Sequence, residues 1–325
     1  MRGILSTAFS FILLVGVNMS AGAADITLKA AHNGAPEYAG TDGYQKMNEV
    51  VAEATNGLVE VQIFPSGQLG SEEQVNEMLQ TGTVAFNAAS AGGLAGFVPS
   101  VELFNLPFIF RDADHMYRVL DGPVGRRIGQ DIESKLDVIF FGWWYGGVRN
   151  VYNSVRPILT PDDMKGLKIR TMNTAAMVDS FNALGAQATP MSFGELYTGL
   201  QQGVVDGAES DHVDLLIEKF HEVTTHVSLT GHMYLPIALI MSKKIYDGLP
   251  PHVQTAVWKA ALASIPVQRA ALDIKTHSAL KDLQQTDLKF YTVDKALFQA
   301  GVQDVYKKYE EQLGGAAVLE QVANQ

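Results

Sequence analysis

Cysteine is absent from all 325 residues. Disulfide staples, thiolate metal sites and cysteine nucleophiles are excluded together. A chain of this length can build its core without cross-links. Positive charge is scarce too: 24 Lys and Arg stand against 35 Asp and Glu. No basic stripe tracks a phosphate backbone, so nucleic acid is not an expected partner. The sequence has no G-x-S-x-G elbow, no P-loop, no H-E-x-x-H and no dinucleotide fingerprint. Neither an enzyme of those classes nor a cofactor is expected. After the N-terminus, no apolar run is long enough to cross a bilayer.

The N-terminus, MRGILSTAFSFILLVGVNMSAGAAD, carries Arg2, an apolar run from Ile4 to Val17, and small residues at Ala21-Gly22-Ala23. This is the outline of a secretory signal peptide over residues 1–23, cleaved near Ala23 or Ala24. It places the mature chain in the periplasm. The apolar run is shorter than a membrane span, and small residues follow it directly.

Strand and helix patterns then alternate, as in an α/β fold. LVEVQIF, from Leu58 to Phe64, alternates as a strand. Thr41 is placed to cap the helix before it, and Glu72 and Glu73 suit the first turn of the helix after it. VIFFGWWYGG reads as a buried strand ending at Gly146-Gly147, with Trp143 and Trp144 as core or cleft wall. The glycine-rich pieces SAGGLAG and GPVGRRIG read as turns. Ser192 and Glu195 stand at capping-box spacing. Beyond Lys243 the pattern is mainly helical and long enough to brace two lobes, with a kink expected at Pro266.

LQTGTVAFNAAS (Leu79 to Ser90) and LQQGVVDGAES (Leu200 to Ser210) echo each other. Both run from a helix end into a strand that finishes in serine. Two α/β lobes of similar build would aim Ser90 and Ser210 into one cleft, because ligands sit beyond strand carboxyl ends. Asp211, His212 and Asp214 gather acids and an imidazole, but they are too close in sequence to face one point, and no metal is expected. Arg149, Arg156 and Arg170 are the informative set. Arg170 ends a strand in an acidic chain. Its planar fork matches a carboxylate, which points to a small anion held at close range.

RPILTPDDMKGLKIR, LGAQATPMSFGELYTGLQQGVVDGAES and IFPSGQLGSEEQVNEMLQTG resemble the DctP-type substrate-binding proteins of tripartite ATP-independent periplasmic (TRAP) transporters. The resemblance runs from about Ile26 onward. It implies a periplasmic-binding-protein-like α/β fold of two lobes, with crossing hinge strands and a long helix spanning both. The expected division is 24–146 plus about 236–270 for lobe I, and 147–235 plus about 271–325 for lobe II. It further implies a monomer that traps an organic acid and delivers it to integral-membrane subunits. The family's central arginine falls on Arg170, its second on Arg149 and its cleft aromatic on Phe193. Its ligand-facing asparagine falls on Ser210, a departure from amide to hydroxyl. Asn173, His32, Asn33, Ser90 and Glu73 match other pocket positions. The many hydrogen-bonding groups favour a sugar acid such as a uronate or aldonate. A C4-dicarboxylate or other monocarboxylate is the alternative. A secreted enzyme would use His32 or an acid near Glu209 as general base.

Overall fold

The computed structural model describes residues 24–325. The expected signal peptide, residues 1–23, lies outside the described residues. The strands are β1 (Ile26–Ala31), β2 (Val59–Phe64), β3 (Phe86–Ser90), β4 (Val138–Asn153), β5 (Lys168–Thr171), β6 (Gln187–Pro190), β7 (Gly207–Ser210), β8 (His226–Ser242) and β9 (Lys289–Thr292). They form one mixed sheet in the order β2-β1-β3-β8-β4-β7-β5-β6, with β9 beside β8. Parallel β2, β1 and β3 make one end; parallel β7, β5 and β6 make the other.

Between these ends run two long antiparallel strands. β4 and β8 stay paired from Val138↔Ser242 to Asn153↔His226, with three register shifts. One shift, between Tyr145 and Val148, contains Gly146 and Gly147. The strand expected to stop at these glycines therefore continues through them as a bulge. Gly147 has φ +86°, and a Cβ there would lie 2.5 Å from Asp211 Cβ. Only glycine fits both the left-handed backbone and the close neighbour.

β3 ends at Ser90 opposite Ile237 of β8, and β7 ends at Ser210 opposite Asn150 of β4. The two strands thus run inward along the crossing pair from opposite ends, and their carboxyl ends face the stretch between, where a ligand cleft belongs in an open α/β sheet.

Helices cover the sheet. Helix α1 (Ala39–Ala54) starts before Thr41, which bonds His32 instead of capping. Helix α2 (Glu72–Thr81) is closed by a capping box of Ser71 and Gln74. SAGGLAG, expected as a turn, contains the helix Ala91–Leu94, and GPVGRRIG, also expected as a turn, opens the helix Pro123–Leu136. Their glycines serve close packing: a Cβ on Gly129 would lie 2.4 Å from the Phe140 ring.

The long helix is unbroken from Pro251 to Leu283, and Pro266 lies within it. Its first half packs Val253, Val257 and Ala261 into the core with α1, β1 and β3. Leu283 reaches the core built on Tyr152, Leu196 and Phe220. Two buried polar residues flank Pro266 and fix the helix to β4. Ser264 accepts from the Trp144 indole at 3.2 Å, and Gln268 bonds both Tyr145 N and Tyr145 O. The C-terminal helices pack on other helices. Gln303–Gln312 binds Asp179 through Lys308 and Tyr309. Ala316–Ala323 packs near His115, whose ring bonds Val322 O.

Candidate functional site

A cavity of about 340 Å³ lies where the strand ends converge. His32, Asn33, Glu73, Ser90, Arg149, Arg170, Asn173 and Phe193 all line it, together with Glu72, Trp144 and Asp214. Ser210 does not line it. It is buried and donates to Asp214 Oδ2 at 2.8 Å, and Asp214 faces the cavity in its place.

Arg170 sits near the end of β5, 3% exposed. Its Nε and Nη2 donate to Met191 O at 2.9 and 2.6 Å. Its Nη1 is buried with no hydrogen-bond partner among the described residues. The Phe193 ring lies 5.9 Å from the guanidinium carbon, a cation–π contact. Burial pulls the Arg170 pKa down while Glu209 opposes, yet arginine stays charged in proteins. No carboxylate forms a salt bridge with it among the described residues. A buried cation with an idle donor is costly unless an anion arrives.

Arg149 is held differently. Its Nε and Nη2 clasp the Glu209 carboxylate, and Nη2 also donates to Glu209 O at 2.6 Å. His232 Nε2 lies 3.3 Å from the same carboxylate. Arg149 is therefore in the wall, as expected, but its charge is matched from within. Burial would raise Glu209; Arg149 and His232 outweigh it and hold the acid at about 2. An acid so fixed is a poor general base.

His32 is also a weak base: burial lowers it to about 4. Its Nε2 meets Thr41 Oγ1 at 3.0 Å, and its Nδ1 is buried without a partner. Asp211 caps the helix His212–Ile217 through Val213 N and Asp214 N. Among the described residues no group of three or more His, Asp or Glu is arranged to hold a metal.

Glu72 escaped the sequence reading, which chose Glu73. Glu73 accepts from Ser71 Oγ at 2.9 Å. Glu72 instead accepts from both Ser90 N and Ser90 Oγ, the latter at 2.8 Å. Burial raises Glu72 to about 7, against the two Ser90 bonds. Its position on the helix gave no hint, because both acids suit a first turn; only the fold shows which faces β3. Ser192 and Glu195 bond side chain to side chain, and no side-chain cap of the backbone forms. Arg156 donates to Asp163 O and Lys165 O and so ties down a loop.

Contacts also cross the cleft. Tyr38 OH donates to Asp211 Oδ2 at 3.3 Å, and Ala35 N donates to Glu218 Oε1 at 2.8 Å.

Two α/β halves joined by crossing strands, with a cavity between them and a buried arginine in its lining, define a two-lobed solute-binding protein. The chain belongs to the bacterial extracellular solute-binding proteins, family 7 (DctP), which match residues 30–312. It is 37% identical to a solute-binding protein of Verminephrobacter eiseniae over 276 residues, 84% of this chain and 81% of that one. A TRAP periplasmic solute-binding protein of Pseudomonas putida F1 with bound D-glucuronate superposes at TM-score 0.87 and 34% identity, covering 91% and 96% of the two chains. One of Sulfurospirillum deleyianum with bound succinate gives TM-score 0.89 at 31% identity, covering 92% and 99%. The family captures solutes and is not enzymatic.

Proposed function

We propose that the chain binds a sugar acid of the uronate or aldonate type in the periplasm and delivers it to the membrane subunits of a TRAP transporter. Arg170, which lines the cavity and keeps a buried Nη1 without a partner, carries this reading. Arg149 is already matched by Glu209, so one unmatched cation remains, which suits one ligand carboxylate. Ser90, Asn33, Asn173 and the free His32 Nδ1 offer partners to hydroxyls. The P. putida relative with D-glucuronate supports this; the S. deleyianum relative with succinate keeps a C4-dicarboxylate as the second reading. Export rests on the signal-like residues 1–23, and a protein left in the cytoplasm with Met1 to Ala23 intact would contradict it.

A thermal-shift panel of D-glucuronate, D-galacturonate, D-erythronate and succinate tests the substrate class. A ligand at about 100 Kd stabilises the fold by ~2.7 kcal/mol, several degrees in melting temperature. The reading expects a sugar acid to give the largest shift. A shift with succinate alone would establish the second reading.

Closure accompanies binding in this proposal. Lobe I comprises 24–146 and about 236–270, lobe II the remainder, and the bend lies at the Gly146-Gly147 bulge and opposite it near Leu235–Ile240. The Tyr38–Asp211 and Ala35–Glu218 bonds then belong to the closed state. Small-angle scattering should show a smaller radius of gyration at saturating ligand; an identical radius in both states argues against closure.

A further inference from the structure

We propose that Glu72 sets the charge of the accepted ligand: it takes a ligand hydroxyl and turns away a second carboxylate. The inference rests on the sugar-acid reading above.

Three observations carry it. Glu72 lines the cavity, in the same wall as Ser90. Each of its oxygens accepts one bond from Ser90, which leaves lone pairs to spare, and no cation pairs with it among the described residues. Gly93 makes room for it there: a Cβ at 93 would stand 2.4 Å from its carboxylate. A hydroxyl donates to such an acceptor. A carboxylate has no proton to give and carries the same sign.

The groups that act on Glu72 are Ser90 on β3, Glu73 beside it on α2, and Arg170 across the cavity. Glu73 disfavours its charge and Arg170 supports it. Once a ligand carboxylate occupies Arg170, that support is cancelled. A second carboxylate then binds only with a proton on Glu72. Burial already places that proton near pH 7. Dianion affinity should therefore rise as pH falls, whereas a monoanion that needs the acceptor gains nothing.

Calorimetric titration with D-glucuronate and D-glucarate, in which the hemiacetal C1 of the former is an open-chain carboxylate, tests the proposal on the wild type and Glu72→Gln. The wild type at pH 8 should prefer glucuronate by about tenfold or more. Its glucarate affinity should climb between pH 8 and 6, with proton uptake visible as a buffer-dependent heat. Glu72→Gln should narrow the preference by about tenfold and flatten the glucarate pH dependence. An unchanged preference and slope in the variant overturns the proposal, and so does wild-type glucarate binding equal to glucuronate at pH 8. If Glu72→Gln fails to fold, the wild-type arms decide alone: absence of proton uptake with glucarate rejects it. If neither sugar acid binds, the sugar-acid reading fails separately, and succinate against butyrate repeats the charge test.

Discussion

Arg170→Ala loses ligand by about 30-fold to several thousand-fold, with the fold retained. Truncating one partner of a buried, hydrogen-bonded charge pair costs ~2–5 kcal/mol, at ~1.4 kcal/mol per tenfold. The guanidinium is held in advance: Met191 O takes two of its donors and leaves Nη1 without a partner. Little entropy remains to be lost when the carboxylate arrives. Arg170→Lys should bind poorly as well, because an ammonium cannot grip Met191 O and a ligand in one plane. Arg156→Ala is the control, since its bonds go to backbone carbonyls of its own loop. Calorimetric titration decides. Affinity within a few-fold of wild type in Arg170→Ala would remove the anchor.

Glu209→Ala destabilises the protein by ~3–5 kcal/mol, because it strands Arg149 as a buried, unpaired cation. Glu209 is 0% exposed and Arg149 3%. At roughly 2–4 °C per kcal/mol, melting falls by about 6–20 °C. Replacing Arg149 and Glu209 together with methionine should cost much less than Glu209→Ala, since neither charge is then left alone. A double variant no better than the single one would mean that the pair contributes more than mutual neutralisation.

The pair also shapes acid stability. Glu209 falls from 4.5 to about 2 on folding, so its contribution is full above pH 4.5 and is lost as pH drops toward 2. That contribution is about 3 kcal/mol, from ~1.4 kcal/mol per unit. Glu72 and Glu218 act in the opposite sense. Each rises from 4.5 to about 7, chiefly through burial. Raised acids destabilise the fold when charged, so stability lost above pH 7 returns as pH falls from 7 toward 4.5. The melting temperature of the ligand-free protein should peak near pH 5. A monotonic rise from pH 4 to 8 would contradict that balance.

The strand-end position of Arg170 was legible from strand periodicity, whereas Phe193, His32 and Asn33 were pointed out by the family resemblance. The echo between Leu79–Ser90 and Leu200–Ser210 correctly paired β3 with β7 as equivalent strands. It placed Ser90 in the cavity wall but not Ser210. Ser90 reaches across to Glu72, whereas Ser210 turns to Asp214 four residues on, and a local bond of that kind leaves no mark on the hydrophobic pattern. Arg149 shows the same limit. Sequence spacing gives its strand, but its partner Glu209 comes from β7, sixty positions later, through sheet pairing. Gly146-Gly147 looked like an end because glycine usually interrupts strands; here β8 keeps the backbone paired on both sides of the bulge.

β4 and β8 each belong to both ends of the sheet, and the chain crosses between them twice before the long helix spans them again. Neither half is therefore a continuous stretch of sequence. Recombination at a single breakpoint cannot exchange one cleft wall for that of a relative without tearing a crossing strand. A single substitution at Ser90 or Asn33, by contrast, alters the cavity lining and leaves the strands that connect the two walls intact.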